Sequence, residues 1–121
     1  MLLGMVTGSA PAKSNGNALA QLQNVHRIVF LGDSITYAGR YVDDIEAYYT
    51  TRFPKRHFEF LNLGLPSETV SGLSEPGHAG GKFPRPDLHW RLESILQKAR
   101  PDLVFACYGM NDGIYLPFDE G

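Results

Sequence analysis

Arg27-Ile28-Val29-Phe30-Leu31-Gly32-Asp33-Ser34-Ile35-Thr36 is the stretch that decides how the rest of the chain is read. From Ile28 the run is continuously apolar and rich in β-branched and aromatic residues until Gly32 closes it. A strand with no polar alternate has no solvent face, so this one is expected to be buried on both sides, as in a parallel sheet covered by helices. The polar residues begin at once with Asp33, and Ser34 falls near the start of a helix.

Working outward, residues 41–53 place Val42, Ile45, Tyr49 and Phe53 on one helical face, and Pro54 stops the helix. Residues 57–63 (HFEFLNL) read as a second strand, ended by Gly64 and Pro66. Strand, helix and strand in this order form a βαβ unit, whose two strands run parallel. Residues 66–86 hold four glycines and read as a long loop with at most one helical turn. Asp87 is a suitable N-cap for a helix reaching Ala99, with Leu88, Leu92, Ile95, Leu96 and Ala99 on its buried side and Pro101 beyond its end. Leu103-Val104-Phe105-Ala106-Cys107 reads as a third buried strand, followed by Tyr108-Gly109-Met110-Asn111-Asp112-Gly113. The expected class is α/β, truncated after the third strand.

The chain has 121 residues, 11 Lys and Arg against 13 Asp and Glu, and a formal charge of -2. There is no basic excess to drive binding to nucleic acid or an anionic membrane. The apolar runs are too short to span a bilayer. One cysteine, Cys107, excludes an internal disulfide framework and a cysteine-based zinc site; as a strand-end residue it is expected in the core. Residues 1–25 differ from the rest: small, polar and nearly uncharged, they read as a flexible N-terminal segment or as the remnant of a secretory signal lacking its basic front end. The reading leans to a secreted or periplasmic protein over a cytoplasmic one. Residues 26–121 form one domain.

In open parallel sheets, ligands sit beyond the carboxyl ends of the strands. Three polar loops follow the three strand ends: residues 32–36, 62–69 and 109–113. Ser34 brings a hydroxyl, backbone N–H groups near a helix start can hold a developing negative charge, and the Asn111 amide is a further donor. A nucleophile and anion donors in one crevice suit acyl transfer.

Gly32-Asp33-Ser34-Ile35-Thr36, then Asn62-Leu63-Gly64 with Thr69, then Gly109-Met110-Asn111-Asp112, resembles the SGNH (GDSL-like) hydrolases over residues 27–112. The resemblance implies a three-layer α/β/α, flavodoxin-like sheet with the first strand between the second and third. It implies that Ser34 is the nucleophile and a backbone donor, and that Asn111 is a side-chain oxyanion donor. The family's second-block glycine falls on Ser67 here, whose N–H can still donate if the backbone does not require a positive φ; Gly64 is the competing assignment. Asp33, Gly64, Gly109 and Asp112 are expected to order the site or line it. The substrate implied is a small ester, with the polar loop of residues 73–86 favouring an acetylated carbohydrate. No cofactor and no metal is expected, because Asp33 and Asp112 more readily order loops by accepting backbone N–H groups than bind a cation.

The family's late Asp-x-x-His block does not occur, and the chain ends nine residues after Asp112. It is therefore expected to be the amino-terminal part of such a domain and inactive by itself. His26 and His57 lie at the wrong ends of strands, His89 is expected to face solvent, and His78 is more readily a loop histidine than a base. Tyr41, Tyr48, Tyr49 and Trp90 are expected to pack, whereas Tyr108 and Tyr115 are candidates to line a pocket. Gly77 to Lys82 fails the phosphate-loop pattern, with Phe83 where Ser or Thr is needed. A catalytically silent binding module on the same fold and a phosphoryl-binding flavodoxin-like domain are the competing readings. The open edge of the third strand predicts a chain that is poorly soluble, partly molten or oligomeric.

Overall fold

The computed structural model describes residues 24–113. The segment on which the export expectation rests, and Tyr115, lie outside the described residues. Strands β1 (Arg27–Gly32), β2 (Glu59–Asn62) and β3 (Leu103–Cys107) form one parallel sheet in the order β2-β1-β3. Helices α1 (Ser34–Ala38) and α2 (Arg40–Arg52) connect β1 to β2, and α3 (His89–Ala99) leads into β3, which is followed by the short α4 (Met110–Gly113).

The unbroken apolar run of β1 explains the layering. Ile28 and Phe30 point to one face, where they pack with Val42 and Tyr49 of α2. Val29 and Leu31 point to the other, where Leu88 and the α3 residues Leu92, Ile95 and Ala99 meet them. All four β1 residues are at most 2% exposed, and burying a side chain of this kind contributes about 1.5–3 kcal/mol. The α2 side is aromatic: the Tyr49 ring meets Phe58 edge-on at 5.2 Å, and Phe30 stacks on Phe105 of β3 at 5.1 Å. Asp102 accepts the backbone N–H groups of His26 and Arg27, both at 2.8 Å, and so ties the start of β3 to the start of β1.

Several expectations need correction. The second strand is shorter than residues 57–63, spanning Glu59–Asn62. The third strand is not buried: Val104 is 36% exposed, and Ala106 and Cys107 are exposed as well. The cause is position, since β3 pairs with β1 on one side and, among the described residues, with no strand on the other. Leu96 turns outward from α3, and Tyr48 and Trp90 are exposed rather than packed, whereas Tyr49 is buried as expected. The loop contains the single turn anticipated, a 3-10 turn at His78–Gly81. Asp87 caps α3 in effect, its Oδ1 accepting the His89 N–H at 2.9 Å. No described helix is long and apolar enough to cross a membrane.

Candidate functional site

Gly32 pairs with Cys107 across the β1–β3 ladder, so the loops carrying Ser34 and Asn111 leave neighbouring strand ends on the same edge of the sheet. Asp33 ends β1 as the N-cap of α1: it is 1% exposed, and its Oδ1 accepts the Ile35 N–H at 2.9 Å. Ser34 is therefore the first helical residue, where an α-helix leaves the N–H without an intrahelical partner. The residue is exposed.

The second loop is fastened to the first. Asn62 donates its side-chain N–H to the Thr36 carbonyl at 2.7 Å and accepts the Gly64 N–H at 3.0 Å. Gly64 lies against α1: a Cβ there would stand 2.3 Å from the Tyr37 nitrogen, so no larger residue fits without moving the helix. Asn62 and Gly64 thus hold the serine-bearing turn in place.

Ser67 has φ +68°, the left-handed region that glycine enters without strain and other residues enter at a cost of about 1–2 kcal/mol. The condition set for Ser67 as a donor is therefore not met: the turn does take a positive φ, and serine offers its N–H there only at the cost of that strain. Its turn is closed by the Glu68 N–H to the Leu65 carbonyl at 3.2 Å, which does not use the Ser67 N–H. Ser67→Gly is expected to stabilise the protein by about 0.5–1 kcal/mol, the relief of strain less the greater unfolded freedom of glycine. The urea midpoint measures it, and a lower midpoint than wild type would mean that the serine side chain stabilises more than the backbone strain costs.

The third loop closes on the second. Asn111 donates its side-chain N–H to the Glu68 carbonyl at 3.1 Å. Asp112 Oδ1 accepts the Val70 and Ser71 N–H groups at 2.9 and 2.7 Å, while its Oδ2 is buried with no partner among the described residues. Asp33 and Asp112 both order loops, but Asp112 orders the neighbouring loop and not its own. Gly109, at φ +119°, occupies backbone space that a side chain rarely allows.

Beneath these loops lies a cluster the sequence reading missed. Glu68 is fully buried, and its carboxylate takes Arg91 Nε at 2.5 Å, Arg91 Nη2 at 2.6 Å and the Tyr108 hydroxyl at 2.6 Å. Arg91 Nη2 also donates to the Leu63 carbonyl at 2.8 Å. Hydrogen bonding to Glu68 raises the Arg91 pKa, and burial followed by the Glu68 carboxylate raises that of Tyr108. Tyr108 is thus committed to this cluster and not to a pocket wall. The missed signal was spacing: Arg91 stands three residues after Leu88 and four before Ile95, on the apolar stripe of α3, where a cation needs a partner.

The histidines are placed away from Ser34 or engaged elsewhere. His26 and His57 precede β1 and β2. His89 is exposed, its Nδ1 2.9 Å from Asp87 Oδ1, and the His89 backbone N–H and ring together hold the Asp87 carboxyl below its usual range. His78 lies 3.4 Å from Glu75. Glu75 is gripped by Arg85 at 2.7 and 2.8 Å, which holds its carboxyl down at about 2. A hollow of about 280 Å³ in this loop is lined by Ser74, Glu75, Lys82 and Phe83 among others, and none of its lining residues belongs to the three motif loops. Among the described residues, no group of His, Cys, Asp and Glu is arranged to hold a metal ion.

Compared with family models, with curated proteins and with solved structures, the chain finds no match in any of the three.

Proposed function

We propose that the chain carries the nucleophile and oxyanion donors of a serine esterase of the SGNH (GDSL-like) type, on a flavodoxin-like sheet. The observation that carries this reading is that the three motif loops leave one edge of a parallel sheet and are hydrogen-bonded to one another. Asn62 reaches Thr36, Asn111 reaches Glu68, and Asp112 reaches Val70 and Ser71. Each bond by itself is structural; the acyl-transfer reading adds that Ser34, exposed at the start of α1, leaves the same edge of the sheet.

In the proposed reaction, Ser34 Oγ attacks the carbonyl carbon of a small ester while its proton passes to a base. The ester oxygen becomes an oxyanion and accepts from the Ser34 N–H, the Ser67 N–H and the Asn111 amide. Because α1 is only five residues long, its dipole adds little and the individual donors do the work. Collapse of the intermediate expels the alcohol, which takes up a proton, and water then hydrolyses the acyl-serine. His26 and His57 precede their strands, on the edge opposite Ser34, and no described hydrogen bond joins His78 or His89 to Ser34, so the base is assigned to none of the four. The substrate class proposed is an acetylated carbohydrate, favoured by the glycine-rich, polar composition of residues 73–86.

A fluorophosphonate probe followed by peptide mass mapping tests the assignment. A single adduct on Ser34, absent in Ser34→Ala, is expected. Ester hydrolysis that continues with Ser34 unlabelled would overturn it, and ligand binding without labelling would point to the silent binding module.

A further inference from the structure

We infer that Glu68, gripped by Arg91 and Tyr108, is the positioning residue for the two oxyanion donors that lie outside the serine loop. This rests on the acyl-transfer reading above. Glu68 is the only residue that the described hydrogen bonds link to both donors' loops through its main chain and to the underlying helix through its side chain. Its backbone follows directly on Ser67, so the direction of the Ser67 N–H depends on how Glu68 is held. Its carbonyl accepts one N–H of the Asn111 amide at 3.1 Å. An amide NH2 is planar, so fixing one N–H sets the direction of the second, which is the one left to donate.

The carboxylate supplies the anchor. It is fully buried and takes three donors, two of them from the rigid guanidinium fork of Arg91. Arg91 meanwhile holds the Leu63 carbonyl, near the start of the same loop. The left-handed turn at Ser67 is thus clamped at both ends, at Leu63 and at Glu68. Tyr108 ties the clamp to the residue just past β3, close in sequence to Asn111. An ion pair serving stability alone would not need its carboxylate residue to bear the Asn111 contact as well.

The test uses the full chain, in which the oxyanion donors alone are expected to leave a residual turnover of 4-nitrophenyl acetate above the uncatalysed rate, with water as the base, and compares wild type with Glu68→Gln, Arg91→Lys, Tyr108→Phe and Ser34→Ala. Glutamine sets an NH2 against groups that are themselves donors, so Glu68→Gln is expected to lower kcat about 100-fold, the effect of displacing oxyanion donors, with KM little changed. Arg91→Lys keeps the charge and loses the fork, and is expected to fall between wild type and Glu68→Gln. Tyr108→Phe, which leaves the ion pair intact, keeps the test open should Glu68→Gln not fold, and a smaller loss of kcat is expected from it. If Ser34→Ala abolishes turnover while Glu68→Gln and Tyr108→Phe leave kcat unchanged, the inference falls and the esterase reading stands. Should Ser34→Ala retain wild-type turnover, the esterase reading falls and takes the inference with it. The Asn111 side-chain amide resonances, followed by NMR in the same proteins, need no turnover. They are expected to move in Glu68→Gln and Tyr108→Phe, and unmoved resonances would overturn the positioning role.

Discussion

Gly64→Ala is expected to lower the stability of the protein by about 3 kcal/mol, at the upper end of what overpacking costs. The added Cβ would meet the Tyr37 nitrogen at 2.3 Å, and the Thr36 carbonyl carbon and Tyr37 Cα at 2.8 Å. All three are backbone atoms of α1, so no side-chain rotation relieves the contact. Either α1 moves away from the loop or the loop leaves α1, and either movement strains the Asn62 bond to the Thr36 carbonyl. For a domain of this size the loss corresponds to a fall in Tm on the order of 10 °C or more. Labelling of Ser34 by the fluorophosphonate is expected to slow in parallel, because the displaced helix begins at Ser34. A variant that melts like wild type would show that the approach of Gly64 to α1 is not a tight one.

Arg91→Met is expected to cost about 3–5 kcal/mol, the usual consequence of leaving a buried charge without its partner. Glu68 has no exposed surface, and without the guanidinium its carboxylate keeps only the Tyr108 hydroxyl among its present donors. Folded proteins have about 5–15 kcal/mol in hand, so this single change removes a large part of the total. The double variant Glu68→Leu, Arg91→Met is expected to recover much of the loss, since replacing both partners with apolar groups leaves nothing charged to desolvate. Urea denaturation of the three proteins decides it. A single variant within about 0.5 kcal/mol of wild type, as for an ordinary surface change, would mean that water reaches Glu68 and the pair is not a buried one.

The main elements were legible because each carried its own local signal. An apolar run closed by glycine marked β1, helical spacing ended by Pro54 marked α2, and Asp87 before a periodic stretch marked α3. The three loops that make up the candidate site could be placed on one edge for the same reason, since parallel strands end on one side. The exposure of β3 was legible only in part: its open edge was expected, but the strand itself was read as buried. Leu103 to Cys107 is as apolar as β1, and composition alone cannot distinguish a central strand from an outer one. Trp90 and Leu96 were misplaced because α3 meets the sheet through a narrower stripe than its apolar content suggests.

By itself the sequence determined that β1 would be covered on both faces, because a strand without a polar alternate has no other stable setting. It determined as well that Ser34 and Asn111 would leave the same edge of one parallel sheet. Only the tertiary structure decided which residues of β3 stay uncovered, that Ser67 adopts φ +68°, and that Glu68 meets Arg91 and Tyr108. Those partners are 23 and 40 residues away from Glu68 along the chain. Local propensity and periodicity act over a turn or two of backbone, whereas burying a charge depends on what the fold brings to it from a distance.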